Sequence, residues 1–191
     1  MAKWVYISRY EAGDGETETA RDYNNSSDEN LLVSQKGAFV YNYIDWETAK
    51  NLSSGMYGSN DDHVTSQLIT GAGWDRTLNW LIETGMDEEK VLYDSRSWGN
   101  YSNSTGNALT NSGSSNMNYK TGRSEYWKAN NIYDLAGNTW EWTQETSGTN
   151  SIHRGGNFGD NGGAIPSSFR TDLDPADEND GLSFRTQLYI K

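Results

Sequence analysis

The 191-residue chain contains no cysteine. Disulfides, thiolate metal sites and a cysteine nucleophile are therefore excluded. Histidine is nearly as scarce: His63 and His153 lie far apart, and neither has a second ligand at motif spacing. A zinc site or a Ser-His-Asp triad would need folding alone to bring partners to one of them. Each reads first as an ordinary surface or hydrogen-bonded histidine. No apolar run approaches the roughly 18–20 residues of a membrane span. The opening Met1-Ala2-Lys3-Trp4-Val5-Tyr6-Ile7-Ser8 meets charge too soon for a signal peptide. A soluble chain is expected, with no membrane insertion, exported if at all by another route such as riding on a virion. Basic charge is also in deficit, with 15 Lys and Arg against 27 Asp and Glu and a net charge of −12. That balance argues against nucleic acid or an anionic membrane as the main partner.

Aliphatic residues are few, and mean hydropathy is −0.88. Disordered chains share that profile, because they bury too little to offset chain entropy. Eight Trp and twelve Tyr point the other way, since aromatic side chains bury much area per residue. The composition predicts a loop-rich globule with an aromatic core. The length suits one domain, and the chain shows no internal repeat or linker, so residues 1–191 are read as one unit.

The most informative stretch runs from Asn130 to Gly156. Ile132, Tyr133, Leu135, Trp140 and Trp142 supply its apolar surface. Trp140 and Trp142 are two apart, so a strand places both on one face with Glu141 opposite. Asp134 and Ala136-Gly137-Asn138 punctuate the run as a tight reversal requires. Arg154-Gly155-Gly156 closes it, its paired glycines permitting backbone conformations that a side chain forbids. Arg154, Arg170 and Arg185 suit loop anchoring by bidentate bonds to carboxylates or carbonyls, with anion recognition as the alternative.

Residues Tyr133 to Thr143, followed by Arg154-Gly155-Gly156 and ending in Phe184-Arg185, resemble the formylglycine-generating-enzyme-like branch of the C-type-lectin fold. Within that branch the whole chain is similar to bacterial and phage variable proteins diversified by retroelements. The resemblance implies an α+β fold in which two helices accompany small twisted antiparallel sheets and long loops. Enzymes of the branch act through two copper-binding cysteines, five apart around the first of two Phe/Tyr-Arg motifs. That motif is Phe169-Arg170 here, and the matching positions are Pro166 and Thr171. Neither can be a thiolate, so this oxidase chemistry is not expected. A cysteine-free relative with another enzymatic role stays open. Carboxylates abound, yet nothing in their spacing selects a glycosidase-like pair. The Asn138-Thr139-Trp140-Glu141 run resembles a calcium-binding segment of the branch. Asn138 and Glu141 are thus candidate calcium ligands, hard oxygen donors of the kind that ion prefers. Alternatively, Asn138 completes its turn and Glu141 accepts backbone hydrogen bonds.

Along the chain, Trp4 to Tyr10 alternates as an opening strand. Glu11 to Asn30 carries seven acids and one Arg and reads as a solvated loop or flap, or as a cation site. Leu31 to Val33 and Ala38 to Tyr43 suit short strands. Asp45 N-caps a helix from Trp46 to about Ser53, and Gly55 to His63 is a loop. Trp74, Thr77, Leu78, Leu81 and Ile82 recur at helical spacing and predict a second helix over Gly73 to Thr84, stopped by Gly85. Asp94 to Gly122, rich in Ser, Asn, Gly and Thr, reads as a surface loop. Tyr126 and Trp127 are expected to re-enter the core. Leu188-Tyr189-Ile190 is expected to close the sheet beside the first strand.

Asn157 to Ser183 holds six acids and one Arg among small polar residues. Phe158, Ile165, Pro166, Phe169, Leu173 and Leu182 interrupt it as framework. Taken alone, this is an irregular loop-rich surface; loops on a rigid scaffold are also where recognition is built. In the resembled variable proteins, substitution at adenines diversifies residues on this C-terminal face, about 154–185 here. On that analogy the ligand-contacting residues are Asn157, Gly159, Asp160, Asn161, Ser167, Thr171, Asp172, Asp174, Asp177, Asn179 and Asp180. Phe158 is the one aromatic expected to be exposed among them. The expected activity is non-catalytic recognition of a protein or glycan on a host or neighbouring cell surface, by a chain that is virion-associated or displayed on a bacterium. A phage-tail or bacterial-surface adhesive module that is not diversified is the second reading. An oligomer would add avidity to weak single-site binding.

Overall fold

A computed structural model of the chain describes residues 5–57, 63–105 and 117–190. Trp4, part of the expected Gly55–His63 loop and the middle of the Asp94–Gly122 segment lie outside the described residues. The twelve short strands and three helices of the described residues follow one another as β1 (Val5–Ile7), β2 (Gly13–Asp14), β3 (Leu32–Val33), β4 (Phe39–Val40), α1 (Trp46–Gly55), β5 (Val64–Leu68), α2 (Gly71–Glu83), α3 (Glu88–Leu92), β6 (Lys128–Ala129), β7 (Ile132–Tyr133), β8 (Trp140–Ser147), β9 (Asn150–Arg154), β10 (Arg170–Leu173), β11 (Leu182–Phe184) and β12 (Thr186–Ile190).

Local chemistry explains the helices. Asp45 accepts from Thr48 N at 2.9 Å and caps α1 as expected. The α2 helix begins two residues before the expected start, because the Thr70 hydroxyl accepts from Gly73 N at 3.0 Å. Its Trp74, Thr77, Leu78 and Leu81 are buried. Gly85, at φ +109°, ends the helical run in the left-handed region. The short α3, capped by Asp87, adds a third helix to the two expected.

Four sheets hold the strands. The closing strand β12 lies between β1 and β5, antiparallel to both, pairing Tyr6 with Leu188. The largest sheet has the order β10-β9-β8-β11, and β11 runs parallel to β8, an exception to the antiparallel pattern expected. β3 and β4 each pair with β2 and not with one another. β6 and β7 form a small hairpin.

Two apolar clusters fill the interior. Trp74, Leu78 and Leu81 of α2 meet Val91, Trp98, Tyr101 and Leu135. Trp142 meets Tyr41, Ile44, Leu68, Leu182 and Phe184. Buried Trp74 and Trp142 find acceptors for their indole N–H: Trp74 donates to Ser167 O at 2.9 Å and Trp142 to Ile44 O at 3.1 Å, whereas the buried Trp127 Nε1 has no partner among the described residues.

Several expectations are corrected. Among the described residues the opening strand covers only Val5–Ile7 and stops short of Tyr10. The Glu11–Asn30 segment is not simply solvated: Glu11, Asp14 and Arg21 are buried, and Arg21 pairs with Asp14 at 2.9 Å. The polar Asp94–Gly122 segment sends Trp98 and Tyr101 into the core, while Tyr126 stays exposed and only Trp127 is buried. Glu141 lies opposite the two tryptophans, yet its own side is buried too.

That second buried side carries an ion pair. Arg185 Nη2 donates to Glu141 Oε1 at 2.6 Å and Nε to Oε2 at 2.9 Å, with both side chains sealed from solvent. The remaining donors reach Ser8 O at 2.8 Å and Tyr133 O at 2.9 Å. Removing one partner would leave an uncompensated charge in the interior, a loss of about 3–5 kcal/mol. Glu141→Gln should lower the free energy of unfolding by that amount in urea titrations; a loss below about 1 kcal/mol would contradict the assigned role.

Candidate functional site

The C-terminal face is built between β9 and β11, and its backbone is held by main-chain bonds to distant segments. Tyr43 N donates to Asn179 O at 3.0 Å, Trp46 N to Pro175 O at 3.0 Å, Ser95 N to Gly162 O at 2.9 Å and Ser102 N to Asp160 O at 3.0 Å. β10 forms its sheet edge, with Thr171 opposite His153 and Asp172 opposite Ile152. Gly156, at φ +76°, lets the chain leave β9 where a Cβ would press on Tyr101 and Ile165.

Of the eleven residues expected to face a ligand, Gly159, Asn161, Asp172, Asp174, Asp177, Asn179 and Asp180 are exposed, and Asn157, Asp160 and Thr171 are half-buried. Ser167 is not on the surface at all. It is fully buried, its hydroxyl donating to Val91 O at 2.7 Å and its N–H to Ser95 Oγ at 3.0 Å. Ser168 bonds Leu92 O in the same way, at 2.6 Å. The two hydroxyls satisfy carbonyls left open where α3 ends, so this serine pair is a structural anchor.

Many side chains of this face shape their own turns. Asn157 accepts from Gly159 N, Asn161 from Gly163 N, Asp174 from Ala176 N and Asn179 from Gly181 N, all at 2.9–3.0 Å. These are the local bonds that Asn, Asp and Ser offer in turns. An aromatic patch was not legible from spacing alone. Phe169 is 37% exposed and meets half-buried Trp140 edge-on at 6.1 Å, so Phe158 is not the only accessible ring. Arg170 lies beside it, 54% exposed and 3.3 Å from Glu145.

His153 is neither a surface nor a hydrogen-bonded histidine. It sits in β9 edge-on to Trp140 at 4.5 Å and Trp142 at 5.5 Å, and its Nδ1 has no partner. Burial pushes its pKa down to about 4, with Asp172 pulling weakly the other way. Arg154 grips Glu145 with two donors, at 2.9 and 3.2 Å, so its role is anchoring.

Asn138 and Glu141 belong to one buried network. Asn138, at φ +64°, completes its turn. Its Oδ1 accepts from Asn100 Nδ2 at 2.9 Å and Tyr119 N at 2.8 Å, and its Nδ2 donates to Glu11 Oε2 at 2.5 Å. Glu11 also accepts from Thr139 N and Oγ1. Both Glu141 oxygens face Arg185. Asn138 Oδ1 already accepts two N–H groups and a guanidinium sits against Glu141, so this arrangement does not fit calcium, which needs several free oxygens. Glu11, Asp134, Glu141 and Arg185 are all buried, three acids against one base. Burial, and then the charges of Asp134 and Glu141, raise Glu11 well above the carboxylate range. Burial pushes Asp134 up to about 7. Burial raises Glu141 too, while Arg185 pulls it back. Charge repulsion in a low dielectric keeps a proton within this cluster near neutrality.

No protein-family model and no curated protein matches the chain. Solved structures do. Variable protein 1 of Treponema denticola matches with a TM-score of 0.58 at 15% identity, over 96% of this chain and 84% of that one. PvdO from Pseudomonas aeruginosa matches with 0.58 at 17% identity, over 96% and 79%. CarF matches with 0.54 at 14% identity, over 78% and 67%. The chain has the C-type-lectin fold of the formylglycine-generating-enzyme-like type.

The titrating groups carry opposite signs. His153 has a depressed folded pKa, so its contribution is complete above about 6.5 and is lost as pH falls toward 4, about 3 kcal/mol in all. Asp134 has a raised one, so its contribution is complete below about 3.8 and is lost as pH rises through about 7. His153→Gln should flatten the acid limb of stability against pH in urea titrations, and Asp134→Asn the limb between pH 4 and 8. Unchanged limbs in both variants would refute the assignment.

Proposed function

We propose that this chain is a non-catalytic binding protein whose C-terminal face recognises a protein or glycan on a cell surface. The face is diversified by a retroelement, and the chain is carried on a virion or a bacterial surface. The observation behind this reading is the way the face is held. Its backbone is anchored through main-chain bonds to Tyr43, Trp46, Ser95 and Ser102, while the side chains at Asn161, Asp172, Asp174, Asp177, Asn179 and Asp180 point to solvent. An anchor made by main-chain atoms survives a change of side chain. Where a side chain does shape a turn, Asn, Asp and Ser can each supply the accepting oxygen, and adenine-directed substitution of asparagine codons reaches Asp and Ser. Loops on a rigid scaffold are the usual place for recognition. The likeness in fold to a variable protein supports the same reading.

The chemistry of catalysis is poorly provided for. Pro166 and Thr171 stand where the copper-binding cysteines of the enzyme branch would be; buried Glu11, Asp134 and Glu141 lie in the cluster around Arg185, and buried Asp14 is paired with Arg21. Recognition would combine the exposed Phe169 edge and the Arg170 guanidinium with the acidic loops, a surface suited to a polar or cationic partner. The self-shaped turns at Asn157, Asn161, Asp174 and Asn179 favour a second reading, an adhesive module with a fixed surface.

The two readings part at the gene. A reverse transcriptase beside a near-copy of the codons for about residues 154–191, differing at adenines, is the expected finding. Identical codons in sister isolates with no such copy would favour the fixed module. In the protein, exchanging Asn161→Ser, Asp174→Asn, Asp177→Ala and Asn179→Asp together should move Tm by no more than a few degrees, as surface changes do. Ser167→Val should lose about 1–3 kcal/mol by orphaning buried groups. A collapse of the fourfold variant would contradict a scaffold independent of its face.

A further inference from the structure

The four-stranded sheet ends on β10, which pairs with β9 and, among the described residues, with no other strand. Its far side is an open edge, and the ladder fixes which groups lie there. Gly155 N donates to Phe169 O at 3.4 Å, and Thr143 Oγ1 of β8 donates to Ile152 O at 3.2 Å. Main-chain groups alternate sides along an antiparallel strand. Ile152 of β9 therefore turns to β8, while Ser151 and His153 turn to β10. Their partners Leu173 and Thr171 face back toward β9. The N–H and C=O groups of Arg170 and Asp172 then point outward, and no main-chain bond from another described segment reaches them.

Open backbone of this kind is a template for another strand, and proteins commonly blunt it with charged side chains. Here the two charges have opposite signs and stand two residues apart. Arg170 and Asp172 are both exposed, and they share one face of the strand because side chains alternate. Arg170 has no acid of its own: Glu145 lies 3.3 Å away but is gripped by Arg154 at 2.9 and 3.2 Å. Asp172 Oδ2 accepts from Asn150 Nδ2 at 2.7 Å, an uncharged donor. The other face carries half-buried Thr171 and Leu173, with the partly exposed Phe169 ring just before them.

We propose that β10 pairs with β10 of a second copy of this chain, antiparallel about a two-fold axis at Thr171. Arg170 of each copy then stands opposite Asp172 of the other, a self-complementary contact of the kind a two-fold axis requires. Both residues present outward main-chain groups, so each such pair exchanges both of its N–H···O=C bonds. Their side chains form cross-strand ion pairs on one face. On the other face Thr171 meets Thr171, and Phe169 meets Leu173. A slip of two residues sets Arg170 against Arg170 or Asp172 against Asp172, which fixes the register. An acidic or a basic peptide strand answers one of the two charges and opposes the other, whereas a second copy answers both. The pairing stands whether or not the C-terminal face recognises a ligand, and in a paired copy Phe169, Arg170, Thr171 and Asp172 are withdrawn from any ligand.

The test is sedimentation of the full chain from about 1 to about 300 μM, a range suited to the weak, reversible dimer that so short a contact supports. Monomer at the low end and dimer at the high end are expected. Arg170→Asp sets acid against acid and should weaken association about tenfold, and Asp172→Arg should do the same with base against base. The two single variants mixed should associate again, because every pair is then acid against base. The double variant Arg170→Asp/Asp172→Arg should recover for the same reason. Both positions are exposed, so Tm should move by no more than a few degrees in each variant. A mixture of ¹³C-labelled and unlabelled chain should show an intermolecular NOE between Thr171 Hα protons, which face one another in a non-hydrogen-bonded pair. A monomer at about 300 μM overturns the proposal and leaves the edge to another partner. A dimer that the charge variants do not weaken, or that lacks the Thr171 contact, also overturns it, since the copies then meet elsewhere.

Discussion

The guanidinium of Arg185 is the constraint on which the rest of the structure depends. It sits at the junction of β11 and β12 and binds Glu141 of β8, the carbonyl of Ser8 just past β1 and the carbonyl of Tyr133 in β7. One side chain thus ties the β1-β12-β5 sheet, the four-stranded sheet and the small hairpin to a common point. A buried ion pair is a poor source of net stability, because desolvation offsets most of the attraction. Its effect here is geometric. Strands of two to eight residues have few ladder bonds each, and a charge pair that tolerates no misplacement fixes how they meet.

Next to that pair, Glu11 and Asn138 carry the constraint outward. Glu11 holds the Asn138-Thr139 turn, and Asn138 holds Asn100 and Tyr119, which belong to long polar connections. A chain with so few aliphatic residues uses buried hydrogen bonds to organise segments that a larger apolar core would otherwise order. Such networks specify one arrangement when every member is satisfied. The loops of the C-terminal face are then tied to this frame by main-chain bonds from Tyr43, Trp46, Ser95 and Ser102.

The sequence was most legible where a signal is local. Asp45 announced α1, the Trp74–Ile82 spacing announced α2, and Gly85 announced its end. The aromatic run around Trp140 marked the strand at the centre of the largest sheet, and the final apolar residues marked the strand beside the first. Non-local partners were what could not be read. Glu11 and Asp14 lie in a segment whose composition says solvent; Glu11 is buried because Asn138 and Thr139 come to it from far along the chain, and Asp14 because Arg21 of the same segment folds back onto it. Trp98 and Tyr101 are single aromatics in a polar stretch, with no period to betray their burial. Ser167 was indistinguishable from its exposed neighbours until α3 supplied carbonyls for its hydroxyl. Phe169 was read as framework, yet the turn after Pro166 brings its ring to the surface beside Trp140.

A frame held this way should open only as a whole, while the face it bears should open by itself. Native-state hydrogen exchange tests it most directly. The amides of Ala12, Ile69 and Trp140, bonded to Phe184 O, Arg185 O and Gly181 O around the ion pair, should exchange only through global unfolding. Those of Gly159 and Ala176, bonded within their own turns, should exchange through local opening at far lower free energy. Equal protection of the two sets, or early exchange around Arg185, would contradict the account.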